Sequence, residues 1–335
     1  MVSAAAAIRA GIRRFRPIQD FTSPAGAKAV GARAYGLTDE RSGSDRLLAP
    51  AVLALCEALF SAEQFYGALE LRTSRMLLCL GPEARPHYEE FEAADLLELL
   101  EAAEAQELQG RVEVFRGGQA VGLSALDKAL ALLRETDTTS CIVGGVDCLL
   151  DLPVLAWLEE AGRLKHEQRS EGFIPGEGAA FLVLEREEQA RHRGAPILAE
   201  LAAPSLAQES AHLTSGQPLR GLGLAQAMKA ALAPGNPPPD GILCDLNGEY
   251  FRAKEWGLAL PRVFDGTVPL PEVWHPAENI GDVGAASALV LLALAVAALR
   301  RGYFPGPRLL VTVGSDDALR GSVLVCPVPA RPAAG

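Results

Sequence analysis

The stretch Val112–Cys148 holds the position where the types and spacing of residues could do chemistry. A strand-like run, Val112–Phe115, leads into Gly117–Gly118. From about Gln119 a helical run follows, with apolar residues at Ala120, Leu123, Leu126, Leu130 and Leu133. A strand, a tight glycine turn and a helix start place residue 119 at the positive end of a helix dipole, among free backbone N–H groups. Proteins mount nucleophiles and bind anions at such positions. The residue here is Gln119, whose amide exchanges hydrogen bonds but cannot act as a nucleophile. It either caps the helix and satisfies local backbone groups, or contacts a ligand or partner.

Cysteine and histidine supply little else. Cys56, Cys79, Cys141, Cys148, Cys244 and Cys326 form no CxxC pair, and most sit in apolar runs. That pattern predicts buried free thiols in a reducing, cytoplasmic setting rather than a disulfide framework or a zinc site. His87, His166, His192, His212 and His275 show neither HxxH nor HExxH spacing, so no metal site is expected. Nothing in the sequence calls for a cofactor.

The elements that position these residues are those of a large α/β protein. The chain has 335 residues, enough for one large domain or two fused halves. With 31 basic and 42 acidic residues the net charge is −11, which argues against nucleic acid as a main partner. Short apolar runs read as strands covered on both faces: Arg75–Leu80, Ser140–Gly144, Ala180–Leu184, Ile197–Leu201, Gly241–Cys244, Leu309–Val313 and Ser322–Cys326. Helical stretches lie between them at Leu47–Leu59, Tyr88–Ala105, Ala120–Arg134, Leu224–Leu232 and Gly284–Arg300. Strands alternating with helices predict parallel or mixed sheets flanked by helices. The order of elements is similar before and after residue 190, which divides the chain into halves at 1–190 and 191–335. Val283–Leu299 has the length of a minimal membrane span, but its small residues favour a helix buried on all sides, so no membrane is expected. The N-terminal MVSAAAAIRAGIRRF reads as a short amphipathic helix, not a signal peptide.

One ordered set of motifs resembles the β-ketoacyl synthase family of condensing enzymes: Gly144–Gly145, Gly172–Phe173, Gly176–Glu177–Gly178–Ala179 and Leu182–Glu185. The resemblance is good over about Gly110–Leu201 and collinear elsewhere. It implies a thiolase-like fold of two mixed β-sheets with helices between and around them, in αβαβα layers. In this register the family's nucleophilic cysteine falls on Gln119. Its two catalytic histidines fall on Asn247 and Gly281, with Glu249 at a threonine position, and its lysine falls on Pro276. The glycine-rich gate falls on Ser315–Ala318. Claisen condensation needs a thiolate and imidazoles to hold the acyl chain and stabilise the enolate. None remains here, so a pseudoenzyme is expected. The acidic residues Asp245, Glu249, Asp282, Asp316 and Asp317 converge on the same pocket. They read as solvated loop residues, or alternatively as a cation or partner site. Glu177 reads as a buried carboxylate holding its loop, and His275 as packing.

The resemblance carries two functional readings. Short divergent thiolase-like proteins, whose genes often neighbour type VI secretion genes, imply an adaptor or chaperone that loads a secretion effector onto a spike component. The motif Gln119–Ala120–x–Gly122–Leu123 is similar instead to chain-length factors, auxiliary subunits that pair with an active synthase and meet acyl carrier protein. The family's dimer strand falls near Val112–Phe115, so a homodimer or pseudo-heterodimer is expected. The family's first core strand has no counterpart here, since the sequence opens on what matches the first helix: either the start is placed late or the protein tolerates an incomplete sheet, whose exposed neighbouring strand would be an edge liability.

Overall fold

A computed structural model describes residues 2–328, except 25, 64–68, 87–90, 136, 234–236, 265 and 267–269. His87 and the start of the expected helix at Tyr88 lie outside the described residues. In chain order the elements are α1 (Val2–Arg9), β1 (Arg16–Thr22), β2 (Lys28–Gly31), α2 (Gly43–Glu63), β3 (Arg75–Leu80), α3 (Ala93–Ala102), β4 (Val112–Arg116), α4 (Val121–Leu132), β5 (Ser140–Cys148), α5 (Leu152–Glu160) and β6 (Glu177–Glu185). There follow α6 (Glu187–His192), β7 (Glu200–Leu201), β8 (Ser205–Gln208), α7 (Leu222–Leu232), β9 (Gly241–Cys244), α8 (Tyr250–Val263), β10 (Glu272–Trp274), α9 (Ala277–Ile280), α10 (Ser287–Arg301), β11 (Leu309–Gly314) and β12 (Leu319–Cys326).

Two mixed sheets carry the fold. The first runs β4-β3-β5-β6 and the second β10-β9-β11-β12, with β7 and β8 added beyond β12. Their directions match strand for strand. β3 is parallel to β4 and β5, and β6 is antiparallel to β5. Likewise β9 is parallel to β10 and β11, and β12 is antiparallel to β11.

The period-2 alternation of each central strand feeds two apolar layers. Leu77 and Cys79 of β3 face the central layer, where α4 and α10 pack between the sheets with Leu309, Val311 and Val313 of β11. Met76, Leu78 and Leu80 face an outer layer with α2 and α3. Leu310 of β11 faces the opposite outer layer with α7 and α8. The result is the αβαβα arrangement. α10 is apolar all round because it is the central-layer helix, with Leu289, Leu292 and Leu294 fully buried. A side chain at Gly122 would put its Cβ 2.0 Å from Cδ2 of Leu289, so glycine lets α4 lie against α10.

The sequence reading placed the central strands and the helices α2, α3, α4, α7 and α10, but missed α5 and α8 as well as the short strands. The strand expected over Ile197–Leu201 shrinks to Glu200–Leu201, and β1, β2, β8 and β10 lack a sufficient apolar run to announce themselves.

Candidate functional site

The site lies where the start of α4 meets the segments before α8, before α10 and after β11. A side chain at Gly118 would put its Cβ 2.9 Å from Ser315, so glycine lets the turn before α4 touch the loop after β11. Ser315 Oγ accepts a hydrogen bond from Ala120 N at 3.0 Å and satisfies a backbone donor at the helix start.

Gln119 is buried but does not cap α4. Its Nε2 donates to both carboxylate oxygens of Asp282, at 3.1 and 3.4 Å, and its Oε1 has no protein partner. The Asp282 carboxylate also accepts from Asn247 Nδ2 at 2.7 Å and from Gly284 N at 2.8 Å. Asn247 Nδ2 donates to Glu249 as well, at 3.0 Å, and its Oδ1 accepts from Glu249 N at 3.1 Å. Both amides thus spend their N–H groups on carboxylates, and Asn247 has no donor left to polarise a carbonyl. The structure therefore gathers Gln119 and Asn247 around Asp282, and of the two roles the sequence offered Gln119 it does not take that of helix cap.

Gly281 precedes Asp282 with φ of +72°. A Cβ there would lie 2.8 Å from Ile174 O and 3.0 Å from Gly176 N. Those atoms are backbone and cannot step aside, so an imidazole at this position would require the loop to be rebuilt. Pro276 begins α9, and His275 Nδ1 lies 3.4 Å from Glu278 at the surface, away from the chemistry.

Of the acidic residues, Glu249 and Asp282 are buried, Asp245 and Asp316 are half-buried, and Asp317 is exposed. Two arginines that sequence reasoning missed thread between them. Arg163 forks onto Glu249 (Nε to Oε1, 2.7 Å; Nη2 to Oε2, 2.9 Å) and onto Asp316 (Nη1 to Oδ2, 2.7 Å; Nη2 to Oδ1, 3.1 Å). Arg252, almost wholly buried, binds Asp245 at 2.7 Å, Asp316 at 3.0 Å and the carbonyl of Gly314. Bidentate guanidinium–carboxylate pairs of this kind are the strongest hydrogen-bonded ion pairs available to side chains. Asp317 alone is exposed, and it accepts from Leu319 N at 2.9 Å. The loop of Ser315–Ala318 is thus pinned by Asp316 between two cations.

Burial works against the Asp316 carboxylate, but Arg252 and Arg163 outweigh it and hold the group below the usual aspartate range. Burial wins at Asp282, raising its carboxyl above that range despite Arg252, the Asn247 amide and Gly284 N. Burial raises Asp245 in the same way, against the pull of Arg252. A carboxyl whose folded pKa exceeds its unfolded value binds more protons in the folded state, so its contribution to stability grows as pH falls through that window. Asp282→Asn is expected to flatten the rise in urea midpoint between neutral pH and about pH 4. An unchanged slope would show that Asp282 does not carry it.

The opening beside Gln119 is small. Pro82, Arg85, Trp157, Arg163, Phe173 and Asp316 line a cavity of about 30 Å³ with it. A second cavity of about 20 Å³ lies behind Asp282, against Ile280 and Leu291. Each has room for about one or two waters and none for an acyl chain. Arg85 closes one wall through a bidentate pair to Asp147, at 2.5 and 2.9 Å. Among the described residues no histidine lines either cavity, and the one cysteine, Cys244 in the second, is buried, which pushes its thiol up. Cys79 and Cys141 lie inside the fold, where burial pushes both thiols up to about 12.

Glu177 stands apart as a structural carboxylate. It accepts from Ala34 N at 2.8 Å, Arg46 Nε at 2.6 Å, Thr38 Oγ1, and the Cys148 thiol at 3.4 Å. It ties the start of β6 to α2 and to the segment before it.

Residues 102–190 match the family described as "Beta-ketoacyl synthase, N-terminal domain". The chain is 29% identical over 250 residues to the tetracenomycin polyketide synthase ketoacyl synthase beta subunit of Streptomyces glaucescens, covering 70% of this chain and 59% of that protein. It is 28% identical over 215 residues to 3-oxoacyl-[acyl-carrier-protein] synthase 2 of Mycobacterium tuberculosis, covering 59% and 50%. The chain therefore spans about half to six tenths of the length of these curated relatives. Among solved structures it is similar to the ishigamide ketosynthase/chain length factor, with a TM-score of 0.78, 19% identity, and coverage of 98% of this chain and 95% of that one. It is also similar to a type II PKS acyl-carrier protein in complex with its ketosynthase, with a TM-score of 0.80, 18% identity, and coverage of 97% and 94%. The fold is thiolase-like.

Proposed function

We propose that this chain is a non-catalytic, chain-length-factor-like subunit of a polyketide- or fatty-acid-type synthase. In this reading Gln119, Asn247 and Gly281 replace the family's reactive cysteine and histidines. The observation that carries it is the buried Asp282 carboxylate holding both Gln119 and Asn247 amides, beside a cavity that admits only water. A carboxylate at that point opposes the build-up of negative charge that condensation requires. The similarity to a ketoacyl synthase beta subunit and to a ketosynthase/chain length factor supports the same reading. None of the relatives described above is a secretion component, so the effector-adaptor reading gains no support and gives way to this one.

The subunit would act through its surface. β4 forms one edge of the first sheet and presents Val114, 43% exposed, at the strand where the family's dimers join. An active ketosynthase would pair there, and acyl carrier protein would serve the pair. Co-expression with a ketosynthase of the same organism is expected to yield a one-to-one complex by light scattering. Val114→Lys should dissolve it, because a charge on an edge strand obstructs strand pairing. Failure of the unmodified chain to associate would remove this reading.

A further inference from the structure

The buried carboxylates of this chain are held in different ways. Asp147, Glu177, Glu249 and Glu255 each meet an arginine: Arg85 at 2.5 Å, Arg46 at 2.6 Å, Arg163 at 2.7 Å and Arg320 at 2.9 Å. Glu209 is held by the backbone N–H groups of Ala211 and Gly223. Asp282 is held by neutral groups too, but two of them are side-chain amides. Both its oxygens accept from Gln119 Nε2, and Asn247 Nδ2 and Gly284 N add bonds of 2.7 and 2.8 Å.

These donors come from three segments, before α4, before α8 and before α10. The central-layer helices α4 and α10, of 12 and 15 residues, both begin here, and their N-terminal ends favour an anion. The backbone of Asp282 does not depend on its carboxylate. Its N donates to Ile174 O at 2.8 Å, and its O accepts from Gly176 N at 2.8 Å. Space adjoins the cradle on both sides. Gln119 and Gly284 line the cavity of about 30 Å³, with Gln119 Oε1 buried and without a protein partner, and Asp282 lines the cavity of about 20 Å³.

We infer that Gln119 Nε2, Asn247 Nδ2 and Gly284 N form a binding site for a small carboxylate, and that the Asp282 side chain fills it as a built-in, autoinhibitory ligand that keeps other carboxylates out. The donor set selects this chemistry. A carboxylate offers two oxygens and about four lone pairs to converging N–H groups, whereas a cation offers none. Asp245, Glu249 and Asp316 stand nearby, but Arg252 and Arg163 bind them. An external carboxylate would take the place of the Asp282 charge rather than add to it. The site needs no partner subunit, so it holds whether or not the chain joins a synthase.

Asp282→Ala empties the site, and formate, which restores the lost carboxylate, is the probe. Calorimetric titration at neutral pH, with chloride holding the ionic strength, is expected to give a dissociation constant in the millimolar range, near the limit for a ligand of so few atoms. The unmodified chain, whose site is filled, should bind formate at least about tenfold more weakly, and so should Asp282→Ala/Asn247→Ala, which lacks one donor. Should Asp282→Ala not fold in chloride, formate is expected to restore its circular dichroism, because a ligand of the native state draws the chain into it. Formate that neither binds Asp282→Ala nor restores its fold would overturn the inference. Equal affinity for the unmodified chain or for Asp282→Ala/Asn247→Ala would do the same, by placing the formate elsewhere.

Discussion

Arg252→Met is expected to lower the folding free energy by about 3 kcal/mol or more, the usual cost of breaking a buried ion pair by removing one partner. Methionine keeps the apolar stem, so packing changes little and the loss falls on charge. Asp245 would lose its 2.7 Å partner, Gly314 its side-chain donor, and Asp316 one of its two cations. Asp245 is the group left worst placed, because burial already pushes its carboxyl up and Arg252 is the main force pulling it back. Asp316 softens the effect, being partly exposed and still held by Arg163. Urea titration at neutral pH measures the loss. A change below about 1 kcal/mol would place Asp245 and Asp316 in water rather than in a buried network.

Glu177→Leu should cost as much, about 3–5 kcal/mol, for the converse reason. Leucine leaves the Arg46 guanidinium buried without its strongest partner, orphans Ala34 N, and leaves Thr38 Oγ1 with only its 3.3 Å bond to the carbonyl of Ala34. The pair itself need not be net stabilising. Arg46→Met/Glu177→Leu is therefore expected to lose less than Glu177→Leu alone, since an apolar pair replaces a stranded charge. Thermal denaturation of the three variants decides it. Additive losses would mean that Arg46 and Glu177 act independently.

The readable parts of this protein were those written in local pattern. The central strands and α10 are apolar on both sides because both sides are buried, and such runs stand out in a sequence. Gln119 was readable as a non-nucleophile at a helix start because residue type alone decides that. Its partner was not, since Asp282 is more than a hundred and sixty positions away and a carboxylate near a pocket looks like any solvated loop residue. Arg163 and Arg252 were hidden for the same reason. A lone arginine has no local signature, and only the fold brings α5, α8 and the loop after β11 within reach of one another. The halves' shared strand order was suggested by the order of elements.

The claim beneath all of this is that the site beside Gln119 holds itself closed and does no condensing chemistry. Malonyl-carrier-protein decarboxylation by the purified chain tests it most directly. The expected result is no turnover above the uncatalysed background, the same for the unmodified chain and for Gln119→Ala. Turnover that disappears in Gln119→Ala would contradict it.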